Sequence, residues 1–557
     1  MAKLIIVGGT VVDGTGGPSF PADLVIDGDR IVDIIRRPEA STKEINPAAT
    51  AGGPTFDGFT FARRDEYQLL EATGLVVAPG FIDAHSHSDL SLLQNPRAES
   101  KIRQGVTTEV IGQCGSSAAP LYGGAAKERS EFLGRTGGLQ INWSSLGDYL
   151  TEVEKKGVAV NVAPMVGHGN LRASVLGWEP RAATPAELEE MKNLLRRSLE
   201  EGALGLTTGL IYPPGSYAPT EEIIALAEVV AAYGGIYGSH IRGESDNLLE
   251  AVKEGIRIGR EAGIFVEISH HKAAGRRNWG KTTVTLEMME TARREGVAVG
   301  CDVYPYTAAS TSLSSLVPNW AQAGGKGAFL ARLRDPAIRA RLKEEIQKGI
   351  PGWENFIAAA GFENILITRT NRPESDLPGK TLAEIARERQ ADPTEVVFDL
   401  LIEEEANIGM VLFFMQEEDV RRVLRYSEAV IGSDASAAAP YGWLGQGKPH
   451  PRAYGTFARV LGHYVRQEGW LTLEEAVRKM TGQTAARYGL KGRGLIARGY
   501  YADLVIFDPA AIADRATYQE PHQYADGIHY VIVNGTISVA KGEHTGALAG
   551  RVLRRGQ

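Results

Sequence analysis

His85 and His87 stand one residue apart in GFIDAHSHSD. The run before them is short and apolar and reads as a strand, in which residues i and i+2 point the same way. Both imidazoles therefore face one side and can share a metal ion. Four further residues of metal-binding type close similar runs: Cys114 in IGQCG, His240 in GSHIR, His270 in IFVEISHHK and Asp434 in AVIGSDAS. Imidazole with one thiolate suits Zn²⁺, whereas Mg²⁺ or Ca²⁺ takes carboxylate and carbonyl oxygens. A catalytic zinc keeps a position open for water and lowers the pKa of that water to about 7. A carboxylate beside it can take the attacking proton and pass it to a departing amide nitrogen, and Asp434 is the candidate.

Each residue has a plainer reading on its own. His-x-His arises by chance, a lone cysteine is inert packing, and an aspartate before Ala-Ser caps a turn or helix. His271 and Lys272, taken singly, are surface residues. The joint pattern outweighs these readings. Of 11 histidines, four fall at expected strand ends, with a cysteine and an aspartate at further ends.

The elements that position them alternate. From GFIDAHSH onward, short apolar runs are followed by amphipathic helices, as in ALGLTTGLIYPP before TEEIIALAEVVAAYG. Thr184 is a good N-cap, with Pro185 at the first helical position, for the helix over 184–201. Eight such strands predict an α/β fold, a (β/α)₈ TIM-like barrel whose active site lies at the C-terminal strand ends. An open doubly wound sheet is the alternative, but no dinucleotide-type glycine fingerprint follows a first strand. The barrel is expected over 76–485. Residues 1–75 and 486–557, including TGALAGRVLRR, read as strand-turn-strand and predict one small β domain built from both termini. Residues 38–64 read as an exposed loop insertion. Residues about 314–360, a helix pair broken at Asp335-Pro336, read as an inserted lid.

The chain has 557 residues, 43% hydrophobic and 23% charged, with net charge −8. That acidity argues against binding nucleic acid or an anionic membrane; the expected partner is a small-molecule substrate. The two cysteines, Cys114 and Cys301, do not suggest a disulfide framework. The first residues lack a signal-peptide core, and no apolar stretch is long enough to span a bilayer. The expected compartment is the cytoplasm, with Cys114 reduced and free for metal chemistry. Oligomeric state is left open.

The residues resemble the metal-dependent amidohydrolase superfamily, and within it the N-acyl-D-amino acid deacylases. The resemblance rests on VVDGTG, APGFIDAHSHSD, GQCG, GLIYPPGSY, SHIRGE, ISHHK, DVYPYTAAST, GSDAS, HPRAYGTFARVLG and ADLVIFDP, in order across nearly the whole chain. It implies that Cys114, His240 and His270 hold a tight zinc. His85, His87 and Asp434 would shape a second, weaker site, with Cys114 able to bridge. It further implies Asp434 as acid/base, and Lys272, Tyr212, Tyr304, Ser310 and Arg452 as substrate-pocket residues. Arg452 suits a substrate α-carboxylate, which a guanidinium can grip bidentately. The sequence departs from the family in the length of 38–64, in the extended run between Asp434 and Arg452, and in Gln113 where asparagine is expected. The implied reaction is zinc-dependent hydrolysis of an N-acyl-D-amino acid. The alternatives are another amidohydrolase, such as a cyclic amidase, lactonase or dipeptidase, or a non-catalytic barrel protein.

Overall fold

The computed structural model describes residues 3–37, 55–56, 59–60, 67–124, 128 and 138–556. The expected insertion over 38–64 lies outside them, apart from the short pair Thr55–Phe56 and Phe59–Thr60.

Short Val- and Ile-rich runs buried on both faces form parallel strands. Among the described residues a series of eight, beginning in GFIDAHSH, stands in parallel ladders. They are β1 (Phe81–Asp83), β2 (Val106–Ile111), β3 (Asn161–Pro164 and Val166–Gly167, either side of Met165), β4 (Gly205–Gly209), β5 (Ile236–His240), β6 (Phe265–Ile268), β7 (Val299–Val303) and β8 (Ala429–Ile431). Each pairs with the next in chain order. Between β8 and β1, Ala84 N donates to Ile431 O at 3.2 Å, and Ser86 and Ala435 form a parallel bridge.

Helices join the strands for legible reasons. Pro185–Glu200 begins with a capping box in which Thr184 and Glu187 satisfy each other's backbone N–H groups. Leu248–Ala262 buries Leu248, Ala251, Val252, Gly255, Ile256 and Gly259, the spacing of one helical face. A Cβ on Gly255 would meet Ile268 at 2.8 Å, and one on Gly259 would meet Val266 at 2.6 Å. Glycine there lets the helix lie directly on β6, whose end carries His270.

Both ends of the chain share a second sheet of nine strands among the described residues. Leu504–Phe507 pairs antiparallel with Val76–Pro79, which pairs with Lys3–Val11. This sheet therefore runs on to Pro79, immediately before β1. The tail over 545–556 does not form the expected strand-turn-strand. Val552 makes a single bridge with Val162, Gly550 N donates to Val158 O, and Leu553 N donates to Val162 O. The tail spends its backbone groups beside β3 instead of on a hairpin of its own.

Residues 304–428 separate β7 from β8. The helix pair is present as Gly325–Arg334 and Pro336–Lys348, and Asp335 caps the second helix. This excursion is larger than 314–360, because it also holds an antiparallel sheet. Gly409–Phe413 lies between Ala308–Ser312 and Ile365–Arg369. The outer strands meet the central one across dozens of residues, and AASTS lacks the apolar alternation that marks a strand. Among the described residues no helix is long and apolar enough to cross a membrane.

Candidate metal centre

The strand ends bring the expected residues together. His85 Nε2 lies 3.2 Å from Cys114 Sγ, which lies 3.3 Å from His270 Nε2. Asp434 Oδ1 lies 3.0 Å from His87 Nε2 and 3.5 Å from His85 Nε2. One donor atom from each of His85, Cys114, His270 and Asp434 falls within 4.8 Å of all the others. His240, the last residue of β5, stacks edge-on to His270 with ring centroids 4.5 Å apart.

Three of these residues have left-handed backbone: Cys114 (φ 51°), His270 (φ 36°) and Asp434 (φ 50°). L-residues pay of order 1–2 kcal/mol for that conformation. It turns the chain sharply just past β2, β6 and β8 and swings each side chain into the common space. Strain of this kind gathers at functional sites.

Charge explains the protonation pattern. Burial pushes the Cys114 thiol up, but the His85 and His270 charges and the hydrogen bond from His270 outweigh it and hold the thiol well below its usual range. Burial likewise disfavours charged Asp434, yet Arg452, His270, His87 and His85 hold its carboxyl well below the ordinary range. Burial works against the imidazolium forms, but the anions win. Asp302 and Cys114 raise His85 well above its ordinary value, and hydrogen bonds to Asp434 and Cys114 help raise His87 to about 9.

A metal ion fits this arrangement. Both ring nitrogens of His240 are buried without a hydrogen-bond partner, a costly state for a polar group. The site's field calls for positive charge, and a thiolate with imidazoles is a zinc-type donor set. Cys114, His240 and His270 could hold one ion, with His85, His87 and Asp434 around a second.

The centre opens into a cavity of about 1200 Å³. Tyr212, Ser310, Lys272 and Arg452 line it. The Tyr212 ring lies 4.9 Å from that of His240, and its hydroxyl lies 3.0 Å from Thr311 Oγ1. Arg452 is 4% exposed. Its Nη1 lies 2.8 Å from Asp434 Oδ2, but no hydrogen bond is aligned there, and Nη2 donates to Ser310 O at 3.3 Å. Tyr304 sits behind the wall instead of in it. The guanidinium of Arg452 is 4.6 Å and the ammonium of Lys272 5.5 Å from its ring centroid. Lys272 is buried, not a surface residue. His271 is also buried and turns away, its Nε2 2.7 Å from Thr285 Oγ1.

Two residues that touch the cluster escaped the sequence reading. Asp302 Oδ2 lies 3.0 Å from His85 Nδ1, and Oδ1 accepts from His270 N at 2.8 Å. Glu244 Oε1 lies 3.0 Å from His270 Nδ1. Both stand inside quoted motifs, DVYPYT and SHIRGE, and position in a motif was the available signal.

The model of the amidohydrolase family matches residues 68–315 and 375–539. The chain belongs to this amidohydrolase family. It is 39% identical over 553 residues to a D-aminoacylase of Alcaligenes xylosoxydans xylosoxydans, covering 99% of this chain and 97% of that protein. It resembles the crystal structure of N-acyl-D-glutamate deacylase from Bordetella bronchiseptica, complexed with zinc and a phosphonate inhibitor that mimics the tetrahedral intermediate. The TM-score is 0.78, with 34% identity and 99% of each chain covered. A D-aminoacylase structure addressing its binuclear metal centre, with one-metal activation and second-metal attenuation, matches with a TM-score of 0.79 and 38% identity over 99% of each chain.

Proposed function

We propose that this amidohydrolase is a zinc-dependent N-acyl-D-amino acid deacylase, releasing a carboxylate and a free D-amino acid. The observation that carries the reading is the cluster of His85, Cys114, His270 and Asp434 within 4.8 Å, beside His240, whose ring nitrogens have no hydrogen-bond partner.

Cys114, His240 and His270 are the residues to hold the tight zinc, and His85, His87 and Asp434 a weaker second ion. Bound zinc supplies Lewis acidity toward the amide carbonyl and the attacking water. Asp434, held ionised, takes the proton of that water and delivers it to the leaving nitrogen. Arg452 takes the substrate α-carboxylate, with Lys272 and Tyr212 orienting the acyl amide. The guanidinium now faces Asp434 at 2.8 Å. A carboxylate that engages it weakens that pairing and leaves Asp434 a better base as substrate arrives.

The same reading assigns the β1–β8 series to a (β/α)₈ TIM-like barrel, the sheet from both ends of the chain, which runs on to Pro79, to one β domain, and the helix pair within 304–428 to a lid. The serial parallel ladders and the β8–β1 contacts support the barrel. Free Cys114 and Cys301 are consistent with the cytoplasm.

The test is release of free D-amino acid from N-acetyl-D- and N-acetyl-L-amino acids by purified protein, with zinc counted on the same sample. About one zinc per chain and D-selective hydrolysis are expected. Cys114→Ala should lose zinc and activity together. A zinc-loaded protein that hydrolyses hydantoins or lactones but no N-acyl-D-amino acid would overturn the reading.

A further inference from the structure

The cationic side chains lining the cavity do not all have an anion. Lys272 faces Glu244 at 2.5 Å, Lys326 faces Glu405 at 3.0 Å and Arg452 faces Asp434 at 2.8 Å. Arg369 also lines the cavity, and among the described residues no carboxylate lies within ion-pair distance of it. Its hydrogen bond is neutral: Nη2 donates to Asn407 Oδ1 at 3.2 Å. The Asn407 amide is fixed in that orientation, because its Nδ2 donates to Asn371 Oδ1 at 3.0 Å.

The backbone aims Arg369 at this place. It ends the strand Ile365–Arg369, where the register against Gly409–Phe413 slips. Ile367 faces Met410 and Arg369 faces Gly409, leaving Thr368 as an extra residue. Such a bulge re-aims the side chains around it, and Thr368, Arg369 and Gly409 all border the cavity. Arg369 keeps open surface, and desolvation by the neighbouring protein lowers its pKa.

We propose that Arg369 is an anion-binding subsite of the cavity, and that the enzyme prefers N-acyl-D-amino acids carrying a second carboxylate. This rests on the deacylase reading. Arg452 takes the α-carboxylate, and Arg369 takes the additional one through a planar fork suited to carboxylate. That carboxylate belongs either to the amino-acid side chain, as in D-aspartate and D-glutamate, or to a dicarboxylic acyl group.

The experiment compares kcat/KM for N-acetyl-D-leucine, N-acetyl-D-glutamate and N-succinyl-D-leucine in wild type, Arg369→Gln and Arg369→Lys. Wild type is expected to favour at least one of the doubly charged substrates over N-acetyl-D-leucine by about tenfold or more, the scale of one charge-assisted hydrogen bond. Whether the glutamate or the succinyl arm shows it identifies the source. Arg369→Gln should erase most of that ratio through KM, and Arg369→Lys should keep part of it. An unfavourable wild-type ratio, or a ratio untouched in Arg369→Gln, overturns the subsite alone. Hydrolysis of none of the three by zinc-loaded wild type overturns the deacylase reading beneath it. Should Arg369→Gln fail to fold, inhibition of wild type decides: glutarate must bind at least about tenfold tighter than butyrate, and equal inhibition overturns the proposal.

Discussion

The Glu244 carboxylate lies 2.5 Å from the Lys272 ammonium, and both groups are buried. Burial alone would neutralise Glu244, but Lys272, His240 and His270 hold its carboxyl far below the ordinary range. Lys272 Nζ also lies 2.7 Å from His270 Nδ1. Together the pair engages the Nδ1 edge of the His270 ring and leaves Nε2 turned toward Cys114. A ligand's far nitrogen is commonly held this way, and the holding group tunes the metal.

Glu244→Gln therefore loses the charge that orients His270 and balances Lys272. Zinc affinity is expected to fall about 10- to 100-fold. Competition with a chelator measures this, and an unchanged zinc dissociation constant in folded Glu244→Gln would make Glu244 merely structural.

Asp434→Asn keeps shape but can neither accept nor return a proton. General acid/base catalysis is worth about 10²–10⁴-fold, so kcat should fall by at least roughly 10²-fold while the tight zinc remains. Thermal midpoint, zinc content and kcat on one preparation check it. Near-normal turnover in zinc-loaded protein removes Asp434 from the mechanism.

Arg452→Lys retains charge and loses the fork. KM for N-acyl-D-amino acids should rise about tenfold or more with zinc content constant, the effect of losing one charge-assisted hydrogen bond. Substrate-saturation kinetics test this, and unchanged KM in Arg452→Ala would refute the carboxylate contact.

Glu222 gives a prediction away from the chemistry. It pairs with buried Arg172 at 2.6 Å and His168 at 3.0 Å. Burial raises its pKa, but His168 and Arg172 outweigh this and bring it down to about 2. A carboxyl lowered in the folded state contributes stability above its unfolded value, lost as pH falls through the folded one. Wild type should lose roughly 3 kcal/mol from this group between about pH 4.5 and 2. Glu222→Gln should lack that slope and be about 3–5 kcal/mol less stable at neutral pH, because Arg172 is left unpaired. Urea melts across pH measure the difference. Parallel curves for the two proteins would remove Glu222 from the acid response.

The cluster of His85, Cys114, His270 and Asp434 was legible because strand ends carry a local signal. An apolar run, then His, Cys or Asp, announces both the element and the place. Glu244 and Asp302 were not, since a single carboxylate acquires meaning only from the histidine it faces across the fold. The antiparallel sheet between β7 and β8 hid for a related reason. Its outer strands Ala308–Ser312 and Ile365–Arg369 meet only through Gly409–Phe413, and no local pattern records such a partner. Arg369 was invisible as a subsite, because lacking an anionic neighbour is a property of space, not of sequence.

The left-handed backbone at Cys114, His270 and Asp434 has a consequence for how this site can change. At such φ values β-branched side chains are the worst tolerated, whereas Asn, Asp, His and Gly enter most easily. Valine, isoleucine or threonine at these three positions would disturb the turn as well as the chemistry. The viable routes away from this metal centre therefore pass through a narrow set of neighbours, such as Asp434 to Asn or His270 to Asn. A drifting descendant would be expected to lose its metal before it lost the shape of the strand ends.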